Sequence, residues 1–131
     1  MKLWTSLFWC FSLVSGVLAA QSSPDRWEKY EALARSGPVD LDSSSFVELT
    51  QAPRDYYAVV LLTALDARFG CVMCREFDPE WDLMARSWNK GSKLDGLKVA
   101  FGTLDFNDGK AVFQKVSPQY FGLSYIMNIG S

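Results

Sequence analysis

Tyr56-Tyr57-Ala58-Val59-Val60-Leu61-Leu62-Thr63 is continuously apolar and rich in β-branched residues, and Cys71-Val72-Met73-Cys74-Arg75-Glu76-Phe77-Asp78-Pro79 follows it after a short loop. The first stretch reads as a strand buried on both faces, which favours a parallel sheet with helices on either side. Asp66 to Gly70 reads as a loop. From Cys71 to Asn89 the period becomes helical, with Cys74, Phe77, Trp81, Met84, Ala85 and Trp88 on one stripe and Arg75, Glu76, Asp82 and Arg86 off it. That aromatic stripe is read as core packing. Leu97 to Asp105 reads as a second strand parallel to the first, with Val99, Phe101 and Thr103 on one face. Asn107-Asp108-Gly109 reads as a turn, and a helix is expected from Gly109 to Lys115.

Upstream, Ser23 and Pro24 open a predicted helix that carries Trp27, Tyr30 and Ala34 on one face and ends at Gly37-Pro38. Val39-Asp40-Leu41 alternates as a short strand. Asp42-Ser43 caps a second helix bearing Phe46, Val47 and Leu49, and Pro53 stops it. The alternation of helices and strands gives an α/β fold class.

The chain has 131 residues, enough for one domain. With 49% hydrophobic and 21% charged residues it is composed to fold. A net charge of −2 leaves no basic surplus for a nucleic-acid partner. The chain contains no histidine, which excludes Ser-His and Cys-His catalysis, imidazole metal sites and a histidine pH switch. No Asn-x-Ser/Thr sequon is present, so the chain is not expected to carry N-glycans.

Residues 1–20 read as a signal peptide: Lys2, an apolar run from Leu3 to Phe11, then small residues up to Ala19 and Ala20. An uncleaved anchor is the alternative, though the run is short and carries several serines. Cleavage takes Cys10 with it and leaves Cys71 and Cys74.

The chemistry is expected at Cys71 and Cys74. The pair opens a long helix, where unpaired backbone N–H groups and the helix dipole favour negative charge. A thiol there loses its proton more easily than a free one. Cys71 then acts as the attacking thiolate and Cys74, one turn on, resolves the mixed disulfide. Arg68 and Arg75 are candidates for added positive potential. Three other readings compete. A structural staple closing so small a ring is worth only on the order of 2 kcal/mol. Half a zinc site lacks further soft ligands. Two inert buried thiols fit poorly with a position at a helix start after Gly70. No metal or other cofactor is needed.

Pro79, five residues after Cys74, is placed as in thioredoxin-fold proteins. Beyond it, Arg54-Asp55-Tyr56-Tyr57, Leu61-Leu62-Thr63-Ala64-Leu65, Cys71 to Pro79, Ser87-Trp88 and Phe101-Gly102-Thr103-Leu104-Asp105-Phe106 resemble one family. It is the redox subunit of the oligosaccharyltransferase complex, the fungal gamma-type subunit, with the animal magnesium transporter 1 and tumour suppressor candidate proteins. The resemblance covers about Trp27 to Lys115. It implies a thioredoxin-like domain of the endoplasmic reticulum lumen that holds nascent polypeptides through mixed disulfides or a peptide groove and so aids N-glycosylation. Its implied partners are nascent polypeptide substrates and other oligosaccharyltransferase subunits. Cys71 and Cys74 would be catalytic, and Phe69, Val72 and Met73 would contact substrate. A holding module whose cysteines are dispensable is the second reading, and a small secreted protein the third.

The family pattern is lost after Lys115. The thioredoxin-like domain is therefore expected to be incomplete at residues 21–115, lacking the cis-Pro strand, the final hairpin and the last helix. The family's membrane spans are likewise not in the chain, so membrane contact would need those spans or an uncleaved signal. Pro118 comes too early for the cis-proline. Leu123 to Ile129 is apolar enough for one edge strand at most, and one side of the Tyr57–Thr63 strand is expected to lack a partner, an aggregation hazard. Residues 116–131 read as a non-family tail. Val116-Ser117 is what GTGAGT, the usual opening of an intron, encodes in frame, so read-through of an intron is one origin and a divergent short relative the other.

Overall fold

The computed structural model describes residues 23–91, 96–116 and 124–128. Helix α1 (Ser23–Leu33) runs into a 3-10 turn (Ala34–Ser36), followed by strand β1 (Val39–Leu41) and helix α2 (Ser43–Thr50). Strand β2 (Tyr57–Thr63), a 3-10 turn (Ala67–Phe69) and the long helix α3 (Val72–Lys90) come next. Strand β3 (Val99–Asp105), helix α4 (Phe106–Val116) and strand β4 (Ser124–Asn128) complete the order.

The sheet has the order β1-β3-β2-β4. Its centre is parallel: Tyr57 to Thr63 pair with Val99 to Asp105 in register, and Val39 to Leu41 lie beside Gly102 to Leu104. The continuous apolar run of β2 follows from this position, since both its faces are covered. Ala58, Val60 and Leu62 join Trp27, Tyr30, Leu41, Leu49, Tyr56, Ala100, Leu104 and Val112 in one core under α1, α2 and α4. Leu61 turns to the other face and meets Trp81, Ala85 and Phe101 under α3.

Local chemistry explains the element ends. Asp42 caps α2 as expected: its Oδ1 accepts from the backbone N–H of Ser44 at 2.9 Å and of Ser45 at 2.7 Å. Ser45 returns the favour by accepting from the Asp42 N–H, a full capping box. Those bonds, led by the one from Ser45, hold the Asp42 carboxyl below its usual range. Arg26 is buried and donates to the carbonyls of Glu48, Gln51 and Pro53, tying α1 to the end of α2. Proline 79 lies inside α3.

Three expectations need correction. β2 does not lack a partner: β4 pairs antiparallel along Ala58 to Leu62 and covers that edge. Asn107-Asp108-Gly109 is not a free turn; it is the first turn of α4, which starts three residues before the expected Gly109. Gly109 departs from helical geometry there, and a Cβ on it would stand 2.5 Å from Leu104 Cγ. Its small size serves close approach to β3, not a hairpin. Met84 leaves the buried stripe of α3: it is 44% exposed and joins neither buried cluster. Of the apolar residues that α2 carries, Leu49 is fully buried and Val47 is 54% exposed. The one cis peptide among the described residues is Ala52–Pro53, and Pro118 lies outside them, as does the signal-peptide segment 1–20.

Candidate functional site

Cys71 is the N-cap of α3 and Cys74 lies in its first turn. The two are joined by a disulfide, with their Cα atoms 5.3 Å apart. The backbone N–H of Cys74 donates to Cys71 Sγ at 3.2 Å. The two cysteines differ in exposure: Cys71 is half-buried, whereas Cys74 is 2% exposed. An incoming group reaches Cys71 first. Once reduced, Cys71 has a backbone donor and a helix N-terminus to favour its thiolate.

The loop before Cys71 is clamped in place. Asp105, at the end of β3, accepts from the Leu65 N–H and the Asn107 N–H, both at 2.9 Å. Asp66 Oδ1 accepts from the Arg68 N–H at 3.0 Å, and its other oxygen pairs with Arg68 Nε at 3.1 Å. The Arg68 guanidinium also donates to Asn107 Oδ1 and lies 4.9 Å from the Phe69 ring centre. Phe69 meets Phe106 edge-on at 5.1 Å, and Phe106 meets Phe113 at 5.3 Å. Gly70 closes the loop at φ +63°, a left-handed conformation that a side chain would strain.

Around the disulfide the surface is apolar. Phe69 is 38% exposed, Val72 53% and Met73 63%. Arg75 is exposed too and makes no ion pair or hydrogen bond among the described residues. The two arginines singled out in the sequence therefore differ, since the charge of Arg68 is already matched by Asp66.

One turn beyond Cys74, Asp78 lines a cavity of about 380 Å³ with Gly37, Asp40, Trp81, Asp82 and Thr103. Burial raises the Asp78 carboxyl above its usual range, and the negative charges of Asp82 and Asp40 add to the effect. Asp82 is itself paired with Arg86 at 2.8 Å. Two of the lining residues are bonded to each other, Trp81 Nε1 donating to Thr103 Oγ1 at 2.9 Å.

A buried strand, a clamped loop and a disulfide at the start of a proline-bearing helix thus follow one another in the chain. A family model described as "OST3 / OST6 family, transporter family" matches residues 28–120. The chain belongs to this family. It is 33% identical over 88 residues to dolichyl-diphosphooligosaccharide–protein glycosyltransferase subunit MAGT1 of Danio rerio, covering 66% of this chain and 26% of that protein. The protein of the same name in Homo sapiens is 32% identical over 80 residues, 60% of this chain and 24% of that one. The chain thus spans about a quarter of the length of the curated relatives it matches. Among solved structures, thioredoxin f from spinach chloroplast (long form) superposes with a TM-score of 0.56 at 16% identity, over 79% of this chain and 76% of that one. At that identity the likeness shows the fold alone, which is thioredoxin-like.

Membership agrees with the resemblance read from the residues. The structure brings all five predicted site residues to one end of α3, with Phe69 partly engaged by Phe106. Sequence reading missed the Asp105–Asn107 clamp. Its signal was present, an acidic residue ending a strand just before Asn-Asp, where such side chains bond nearby backbone N–H groups.

Proposed function

We propose that this OST3 / OST6 family chain exchanges disulfides with nascent polypeptides as an accessory oligosaccharyltransferase subunit, aiding N-glycosylation in the endoplasmic reticulum. The observation that carries the reading is a partly exposed Cys71, bonded to a buried Cys74 and neighboured in the chain by exposed Phe69, Val72 and Met73. Relatives named as glycosyltransferase subunits support the assembly it would serve.

The exchange has a simple course. A substrate thiolate attacks Cys71 Sγ, the Cys71–Cys74 bond breaks, and the electron pair leaves on Cys74 Sγ, which takes up a proton. The polypeptide is then held on Cys71 while its apolar side chains rest on Val72, Met73 and the exposed edge of Phe69. Cys74 releases it by attacking the mixed disulfide. Residues 1–20 would direct the chain to the lumen, residues 21–115 would carry the redox site, and the tail from 116 would contribute β4.

The exposure of Val72 and Met73 also favours a second reading, in which apolar contact alone holds the polypeptide. Replacing both cysteines by serine in cells that depend on this subunit separates the two. Occupancy of redox-sensitive glycosylation sites drops under thiol exchange and stays unchanged under simple holding.

A further inference from the structure

We infer that Arg75 selects the polypeptides that exchange with the Cys71–Cys74 disulfide, favouring cysteines flanked by an apolar side chain and a carboxylate. The inference deepens the thiol-exchange reading and rests on it.

Arg75 lies four residues after Cys71 and three after Val72, so it occupies the same side of α3 as the sulfur open to attack. It is exposed, and no carboxylate among the described residues is paired with it. Arg68 offers no comparable charge, being paired with Asp66, bonded to Asn107 and laid over Phe69. Glu76, exposed and likewise unpaired, stands three residues after Met73. The apolar pair Val72–Met73 is thus flanked by a cation on the Cys71 side and an anion on the other. A polypeptide whose cysteine has reached Cys71 presents its neighbouring side chain to the cation. The N-terminus of α3 adds partial positive charge at the same end. A carboxylate beside the substrate cysteine is attracted there, and an ammonium is repelled.

The covalent step is unchanged. The substrate thiolate bonds to Cys71 Sγ, and the displaced thiolate leaves with the electron pair. No further oxidant or reductant enters.

The test uses the full chain carrying Cys10→Ser and Cys74→Ser, with Cys71 loaded as a mixed disulfide with uncharged 2-thiopyridone. Peptides of one apolar sequence, differing only by Asp or Lys beside a single cysteine, displace the absorbing thiopyridone. Each rate is divided by that of the same peptide with free, uncharged dipyridyl disulfide, which cancels the peptide thiol's own acidity. The expected Asp-to-Lys ratio is about 2–5 at low ionic strength, the size of one exposed charge pair. It falls toward unity in high salt as screening shortens to a few ångströms, and Arg75→Glu inverts it. Arg75→Gln, which should bring the ratio down toward unity, decides the matter should Arg75→Glu fail to fold, and a ratio unchanged in either variant overturns the selection. A ratio at or below unity in low salt overturns the selection. Displacement by neither peptide defeats the thiol-exchange reading itself, and the selection with it.

Discussion

Among the described residues, one face of the sheet lies under α1, α2 and α4, and the other under α3. On the first, eleven buried side chains among the described residues form a single cluster, from Trp27 to Val112. On the second, four are buried, while Val59, Phe77, Trp88 and Val99 are only partly covered. The disulfide belongs to the thin side, at the end of α3. Stability is therefore concentrated where no chemistry is proposed, and the proposed chemistry sits where packing contributes least. Substitutions on the two sides should separate folding from exchange.

The largest effect should come from the thick side. Leu104→Ala removes a fully buried side chain that packs against Gly109 and is expected to cost about 2–5 kcal/mol by urea denaturation. Exchange at Cys71 should persist in whatever fraction stays folded. Comparable loss of exchange in that fraction would break the separation. Cys71→Ser comes next: it should abolish exchange yet cost only about 2 kcal/mol, because the ring it opens is so short.

Asp42→Ala, again on the thick side, should lower the unfolding midpoint at neutral pH by removing the α2 capping box. The folded carboxyl sits below its unfolded value, so its contribution is complete above the unfolded value and is lost as pH falls through the folded one. The difference between Asp42→Ala and the parent chain should accordingly shrink in acid. A difference that grows in acid would contradict the cap as its source. The smallest effect on folding belongs to Met73→Ser at the exposed rim, within about 0.5 kcal/mol of the parent, with a measurable weakening of peptide retention.

The same contrast explains what the residues disclosed. β2 could be read because burial on both faces leaves a continuous apolar run, Tyr57 to Leu62. The start of α3 could be read because Gly70 and the cysteine pair mark it. Met84 was misplaced because helical spacing identifies a face without saying whether anything covers it. The pairing of β4 with β2 joins residues from Leu62 and Ser124 to Ala58 and Asn128, far apart in the chain, and Tyr125-Ile126-Met127 alone specifies neither partner nor register. Gly109 looked like a turn glycine because its neighbours Asn107 and Asp108 favour turns; the proximity of Leu104 that explains it comes only from tertiary packing. The two arginines beside the cysteines were equivalent in sequence, and only the placement of Asp66 and Asn107 distinguishes Arg68 from Arg75.

Unequal roles for the two sulfurs are what the proposed exchange requires, and peptide mapping by mass spectrometry tests them most directly. The Cys10→Ser chain carrying either Cys71→Ser or Cys74→Ser is mixed with a cysteine peptide under mild oxidation, and adducts are counted. Cys71 in the Cys74→Ser chain should capture the peptide readily, Cys74 in the Cys71→Ser chain should stay nearly bare, and restoring both cysteines should release the peptide. Equal capture at both positions, or capture at Cys74 alone, would contradict the assignment of Cys71 as the attacking sulfur and Cys74 as the resolving one.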